Sequence, residues 1–154
     1  MALRQIRKNG DPALRQKARE VRKITPAITK LLNEMAETMY DAQGVGLAAP
    51  QVGISKRLVV IDVQDDRGLL KLINPKIIDR SGKETAIEGC LSFPGIAGEV
   101  ERAAQVTVEA LDETGTKITI EAEGLLARAC QHEFDHLEGV LFVDRATRFI
   151  EQEE

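Results

Sequence analysis

His132 and His136 are the only histidines in the chain, and both fall in one five-residue string, His132-Glu133-Phe134-Asp135-His136. Imidazoles this close in sequence share one metal ion when the backbone between them is helical. Residues four apart in a helix lie roughly 40° apart around the axis and one turn along it, so both rings leave the same face. The string therefore calls for a helix and fixes which way that helix must look. It also sets a carboxylate, Glu133, beside the first ring, where it can act as a base toward metal-activated water.

The flanking residues agree. Gly124 precedes Leu125-Leu126-Ala127-Arg128-Ala129-Cys130-Gln131, mostly strong helix formers, and Gly139 follows as a C-terminal stop. On a helical projection Leu126, Ala129, Cys130, Glu133 and Leu137 share one stripe. His132 and His136 share the neighbouring stripe, beside Leu125. Apolar residues cover much of the circumference, so the helix belongs inside a core rather than on a surface. Glu133 is then a buried or half-buried carboxylate, which is costly without a partner or a task.

The rest of the chain reads as helices first and strands afterwards. Asp11-Pro12 opens a short helix expected to run to about Val21, and Thr25-Pro26 opens a longer one to about Tyr40. Residues 43–51 are apolar and punctuated by glycine, more like loop and extended chain. Leu58 to Val63 is a strand. Leu69 to Ile73 and Lys76 to Asp79 are further strand segments, broken at Asn74-Pro75. Gln105 to Ala110 and Lys117 to Glu121 alternate apolar and polar residues around Asp112-Glu113-Thr114-Gly115, which predicts a hairpin. The order implies an α+β fold, mostly antiparallel sheet packed around a central metal-binding helix, with N-terminal helices. The charged tail from about Arg145 is expected to be only partly ordered.

A chain of 154 residues suffices for one good core, and the expectation is a single catalytic domain over 1–154. A net charge of −4 with scattered Lys and Arg argues against direct nucleic-acid binding. No segment reaches the length of a membrane span, and the N-terminus lacks an apolar leader. Cys90 and Cys130 are too few for a disulfide framework. Reduced thiols in the cytoplasm are the expected setting.

Two histidines leave a catalytic metal one protein ligand short, with a fourth position for water or substrate. No third histidine exists, so the choice lies among Cys, Asp and Glu. Asp144 and Glu151 downstream would suit a protease-like site. Cys90 upstream lies in Glu88-Gly89-Cys90-Leu91-Ser92, although a free cysteine taken alone is more often a small buried hydrophobe. Cys130 lies about 200° round the helix from His132 and faces away.

Three segments together bear on that choice. Gly44-Val45-Gly46-Leu47-Ala48-Ala49-Pro50-Gln51, Glu88-Gly89-Cys90-Leu91-Ser92 and Gln131-His132-Glu133-Phe134-Asp135-His136 resemble, in order, the three signature motifs of the peptide deformylases. The Asp11-Pro12-Leu14 opening and the overall length are also similar to that family. The tail after Phe149 is shorter than in members whose longer helix helps dock to the ribosome.

The resemblance implies a metal-dependent hydrolase that removes the formyl group from N-formylmethionyl nascent peptides. Cys90, His132 and His136 would bind the metal, Fe(II) by resemblance, with Zn(II) or another divalent ion possible by ligand type. Glu133 would be general acid and base. Gln51 and the backbone N–H of Leu91 would stabilise the oxyanion. An extended peptide would pair near Gly44, Val45 and Gly46 and near Ile87 and Gly89, where side chains on the glycines would obstruct it. Val45, Leu125, Ala129 and the flank of His132 would receive the methionine side chain. The ribosome is a further expected partner, and no membrane is. The alternative is a zinc endopeptidase of the His-Glu-x-x-His type, which leaves the two upstream motifs without a use.

Overall fold

Leu58-Val59-Val60-Ile61 is apolar without a break because both faces of that strand are covered. In the computed structural model, which describes residues 3–151, the chain runs α1 (Pro26–Asp41), β1 (Gly46–Ala48), β2 (Leu58–Ile61), β3 (Leu70–Ser81), β4 (Glu84–Cys90), β5 (Phe93–Arg102), β6 (Gln105–Leu111), β7 (Lys117–Glu123), α2 (Gly124–Leu137), α3 (Phe142–Arg145) and β8 (Arg148–Glu151). Leu58 and Val60 point toward α1, packing with Leu32, Met35 and Met39. Val59 and Ile61 point the other way, toward Ala127, Cys130, Phe134 and Leu137 of α2. The period of two along a strand makes this division, and it puts the five-stranded sheet β1-β2-β3-β6-β7 between two helices.

A second sheet, β4-β5-β8, lies on the far side of α2, which touches it through Arg128 and His132. All strand pairs in both sheets are antiparallel. The expected α+β architecture with a central helix is the observed one. α2 is buried along most of its length because a sheet covers each side.

Several local expectations hold for visible reasons. Thr25 caps α1 by accepting from the Ile28 N–H, and Pro26 takes the first turn. Gly139 adopts φ +73° just past α2, and a Cβ there would sit 2.6 Å from the Arg15 carbonyl oxygen. The β6–β7 hairpin pairs Leu111 with Lys117 across the Asp112–Gly115 turn.

Others are corrected. The first helix is only a 3-10 turn, Pro12–Arg15. Beyond it the backbone bonds elsewhere: Ala18 N–H donates to Leu137 O, Arg19 N–H to Ser55 O, and Arg19 O accepts from Arg57 N–H. Tertiary hydrogen bonds outcompete a helix whose own would satisfy the same groups. The glycine-rich stretch is extended where β1 pairs with β2, as expected, but Ala49–Val52 closes into a 3-10 turn. The break at Asn74-Pro75 is a bulge within one strand, β3, rather than an end, since pairing with β6 resumes at Lys76. The charged tail also holds an element the sequence did not suggest, β8, which pairs Ile150 with Ala97 and Phe149 with Gly98. Residues 152–154 lie outside the described residues.

The bulge ties the extended N-terminal segment to the sheet. Asn74 sits at φ +52°, its side-chain oxygen accepts from Val21 N–H at 2.8 Å, and its amide donates to Val21 O at 2.8 Å. Asn74→Ala removes both bonds and leaves a Cβ residue in the left-handed region, so we expect a loss of about 2–4 kcal/mol in chemical denaturation. Asn74→Gly should recover only the backbone part, about 1 kcal/mol. Equal stability of the alanine variant and wild type would show that the bulge does not tether the segment.

Candidate metal centre

α2 carries His132 and His136 on one side with ring centroids 5.2 Å apart, and both are buried. Cys90, the last residue of β4, reaches them from the other sheet. Its Sγ lies 3.5 Å from His136 Nε2, and the three ligand atoms all fall within 4.8 Å of one another. With metal–sulfur bonds of about 2.3 Å and metal–nitrogen bonds of about 2.0 Å, tetrahedral ligand atoms stand roughly 3.5 Å apart. The donors fit a metal ion. Of the acidic alternatives, Asp144 is taken by Arg15 at 2.6 and 3.0 Å and by the Leu141 N–H, while nothing is described of the Glu151 side chain. Cys130 is fully buried in the core on the opposite side, where burial pushes its thiol up to about 12.

The ligands are held from behind. His132 Nδ1 lies 2.9 Å from Glu88 Oε1, so an Nδ1–H donated to that carboxylate leaves the Nε2 lone pair for the metal. Glu88 also accepts from Arg102 Nε and Nη2 at 2.7 and 2.8 Å and from Arg128 Nη1 at 2.6 Å. Burial opposes ionisation of Glu88, but Arg102 and His132 overcome it and hold its carboxyl far below the usual carboxylate range. Glu88 was not among the residues expected to act at the site. The available signal was its place two residues before Cys90 on one strand, hence on the same face.

Gln51 is oriented by a division of labour in its amide. The oxygen accepts from Ala48 N–H at 2.9 Å, which turns the NH2 toward Ser92 Oγ at 3.2 Å and Cys90 Sγ at 3.6 Å. A donor therefore faces the metal donors. Leu91 lines the same cleft at the β4–β5 turn, and its carbonyl accepts from Lys8 Nζ at 3.1 Å. Glu133 is buried with Oε1 unpartnered by any described residue. Burial pushes its carboxyl up to about 7, against the nearby charge on His132.

A cleft of about 560 Å³ opens over these groups. Gly44, Val45 and Gly46 line one side and Ile87, Gly89, Cys90 and Leu91 the other, with Leu125 and Ala129 from α2 between them. Every expected substrate-contacting residue is thus on this cavity. Val45, Ile87 and Leu125 are exposed apolar side chains at its mouth, and Ala129 is buried. β1 and β4 are each the outermost strand of a sheet, so two backbone edges flank the opening. Gly44 and Gly46 also have a cause within the fold. A Cβ on Gly46 would stand 2.6 Å from Glu133 Oε2, and one on Gly44 would stand 2.7 Å from Leu91 Cδ1. They make room for the site's own side chains.

A thiol and two helix-borne imidazoles close enough to share one ion, with a carboxylate beside them and a donor opposite, define a metal-dependent hydrolase. The sequence model of the polypeptide deformylase family matches residues 3–152. A peptide deformylase of Acetivibrio thermocellus is 57% identical over 154 residues, which is 100% of this chain and 89% of that one. One from Desulfitobacterium hafniense is 60% identical over 148 residues, 96% of this chain and 97% of that one. The crystal structure of peptide deformylase from Thermotoga maritima superposes with a TM-score of 0.92 at 47% identity, covering 96% of this chain and 99% of that one. The chain belongs to the polypeptide deformylase family. The endopeptidase alternative is not favoured, since these likenesses run the full length and include both upstream motifs.

An unpartnered buried carboxylate should weaken the fold it serves. Its folded pKa is raised from 4.5 to about 7, so the penalty is absent below pH 4.5 and fully present above pH 7. We expect metal-free Glu133→Gln to be more stable than metal-free wild type at pH 8, by on the order of 1–3 kcal/mol. The gap should shrink to about a quarter at pH 5 and close below about pH 4. A gap unchanged between the two pH values would contradict the assignment.

Proposed function

We propose that the chain hydrolyses the formyl group from N-formylmethionyl peptides of nascent chains, releasing formate and a free N-terminal amine. The observation that carries this reading is the convergence of Cys90, His132 and His136 beneath a cleft that also receives the Gln51 amide and the Glu133 carboxyl. Those three residues would hold the metal. A divalent ion bound there supplies Lewis-acid polarisation of the formyl carbonyl and acidifies a water molecule. The thiolate and imidazole set suits Zn(II) by ligand type, and we take Fe(II) as the working ion on family resemblance.

Glu133 accepts the proton of the attacking water and delivers it to the amine nitrogen as the C–N bond breaks. Its burial beside His132, with Oε1 unpartnered by any described residue, leaves the carboxyl free for both transfers. The Gln51 side-chain N–H and the Leu91 backbone N–H donate to the oxygen that becomes negative in the tetrahedral state. The peptide lies between the β1 and β4 edges, pairing near Gly44–Gly46 and Ile87–Gly89, in the manner of an added strand. Its first side chain enters between Val45, Leu125, Ala129 and the flank of His132. The reading carries with it a cytoplasmic setting, with the translating ribosome as the source of substrate. No helix among the described residues is long and apolar enough to cross a membrane.

Formate release from a short formyl-methionyl peptide by Fe(II)-loaded, anaerobically handled protein tests this directly. Release should vanish in Glu133→Ala and fall on the order of a hundredfold in kcat for Gln51→Ala with a much smaller change in KM. Cleavage of an internal peptide bond by wild type, without formate, would overturn the proposal.

A further inference from the structure

Asp135 is the one charged residue of the His132–His136 string that the proposed reaction leaves without a task. Its carboxylate is nevertheless fully engaged. Oδ2 accepts from Arg102 Nη1 at 2.7 Å and from Arg145 Nε at 2.6 Å, and Oδ1 accepts from Arg145 Nη2 at 3.0 Å. Arg102 is buried, and the rest of its guanidinium is the fork that grips Glu88. Glu88 in turn faces His132 Nδ1 at 2.9 Å. An unbroken row of charge-assisted hydrogen bonds runs from Arg145 at the surface, through Asp135, Arg102 and Glu88, to a ring of the metal site.

The geometry points to Asp135 as a positioning residue for the metal centre. By sharing the Arg102 guanidinium, it leaves Glu88 free to hold the His132 Nδ1–H and keep that ring's Nε2 aimed at the metal. The inference rests on the reading of His132 as a ligand. Glu88 already carries two cations, Arg102 and Arg128. Without a second carboxylate on Arg102, that guanidinium falls to Glu88 alone, while Arg128 keeps its bonds to Glu88 and to the Val100 and Glu84 carbonyls. The bond from Glu88 to His132 then weakens, and the imidazole becomes a poorer and less well aimed donor. Loss of Arg145 acts with the opposite sign, because Asp135 is then left to Arg102 alone and draws it further from Glu88.

That sign separates positioning from mere scaffolding. A carboxylate that only tethers α2 to β5 and α3 would be harmed alike by losing its own charge or by losing Arg145. We would load the full-length protein with Zn(II) and follow release into excess chelator, alongside the melting temperature of each metal-free variant. Asp135→Asn should release Zn(II) about tenfold faster than wild type, at the low end of what outer partners of metal ligands cost. Arg145→Gln should release no faster than wild type. Asp135→Glu should recover most of the loss.

Equal release from Asp135→Asn and wild type would overturn the inference, as would equal acceleration in Asp135→Asn and Arg145→Gln. Should Asp135→Asn fail to fold, Arg102→Lys decides the matter, since an ammonium cannot bridge both carboxylates as the fork does. Its release must then be faster than wild type, and an unchanged rate would overturn the inference. A His132→Ala control that retained Zn(II) as wild type does would instead remove the ligand reading beneath it.

Discussion

The buried carboxylate of Glu88 is the junction on which the site depends. It takes His132 and Arg128 from α2 and Arg102 from the end of β5, while its own strand ends two residues later in Cys90. One side chain thus sets the distance between the sheet that supplies the thiol and the helix that supplies the imidazoles. As a source of stability such a cluster is a poor choice, because taking ions out of water costs nearly what their attraction returns. Its value is geometric. Removing one partner would strand a buried charge at several kcal/mol, so the arrangement has essentially one low-energy form. A metal site needs that, since ligand directions matter as much as ligand identity.

Apolar packing does the complementary job of fixing α2 itself. Ala127, Cys130, Phe134 and Leu137 lock one side of the helix to the central sheet, and Phe142 packs near the His132 ring with centroids 6.0 Å apart. Phe142 also meets Phe93 edge-on at 5.4 Å, so the β5 strand that carries Arg102 is braced against the segment just beyond α2. The charged face of α2 therefore cannot rotate away from β4 and β5 without opening the core on its other face.

What was legible in the sequence was whatever is written locally. The caps and 3.6-residue spacing of α1, the alternation of β6 and β7, and the His-Glu-x-x-His face of α2 each need only a dozen neighbouring residues, and each stands where it was expected. What was not legible depends on partners far along the chain. Nothing near Glu88 announces Arg102 or His132, 14 and 44 residues away. β8 looks like a charged tail until Ala97 and Gly98 give it a strand to pair with, and the segment after Arg15 looks helical until Ser55 and Leu137 take its backbone bonds. The glycine motif was read as room for a peptide, and the neighbour it also makes room for was not legible. Periodicity cannot say that the space beside Gly46 belongs to Glu133.

That last contact bears on how the cleft reconciles two demands. An open strand edge is normally a hazard that folds keep short or bent, and here both edges at the cleft meet that description: β1 has 3 residues, and the β4–β5 register shifts between Gly89 and Cys90. Because Gly46 lacks a side chain, Glu133 can lie directly against the β1 edge. The group proposed to move protons is then within reach of a peptide bound along that edge. A larger residue at position 46 would protect the edge and push the carboxylate away. The buried, unpartnered carboxylate and the bare backbone beside it are each a cost to the fold, and placed together they put a reactive group against a backbone that an extended peptide can pair with.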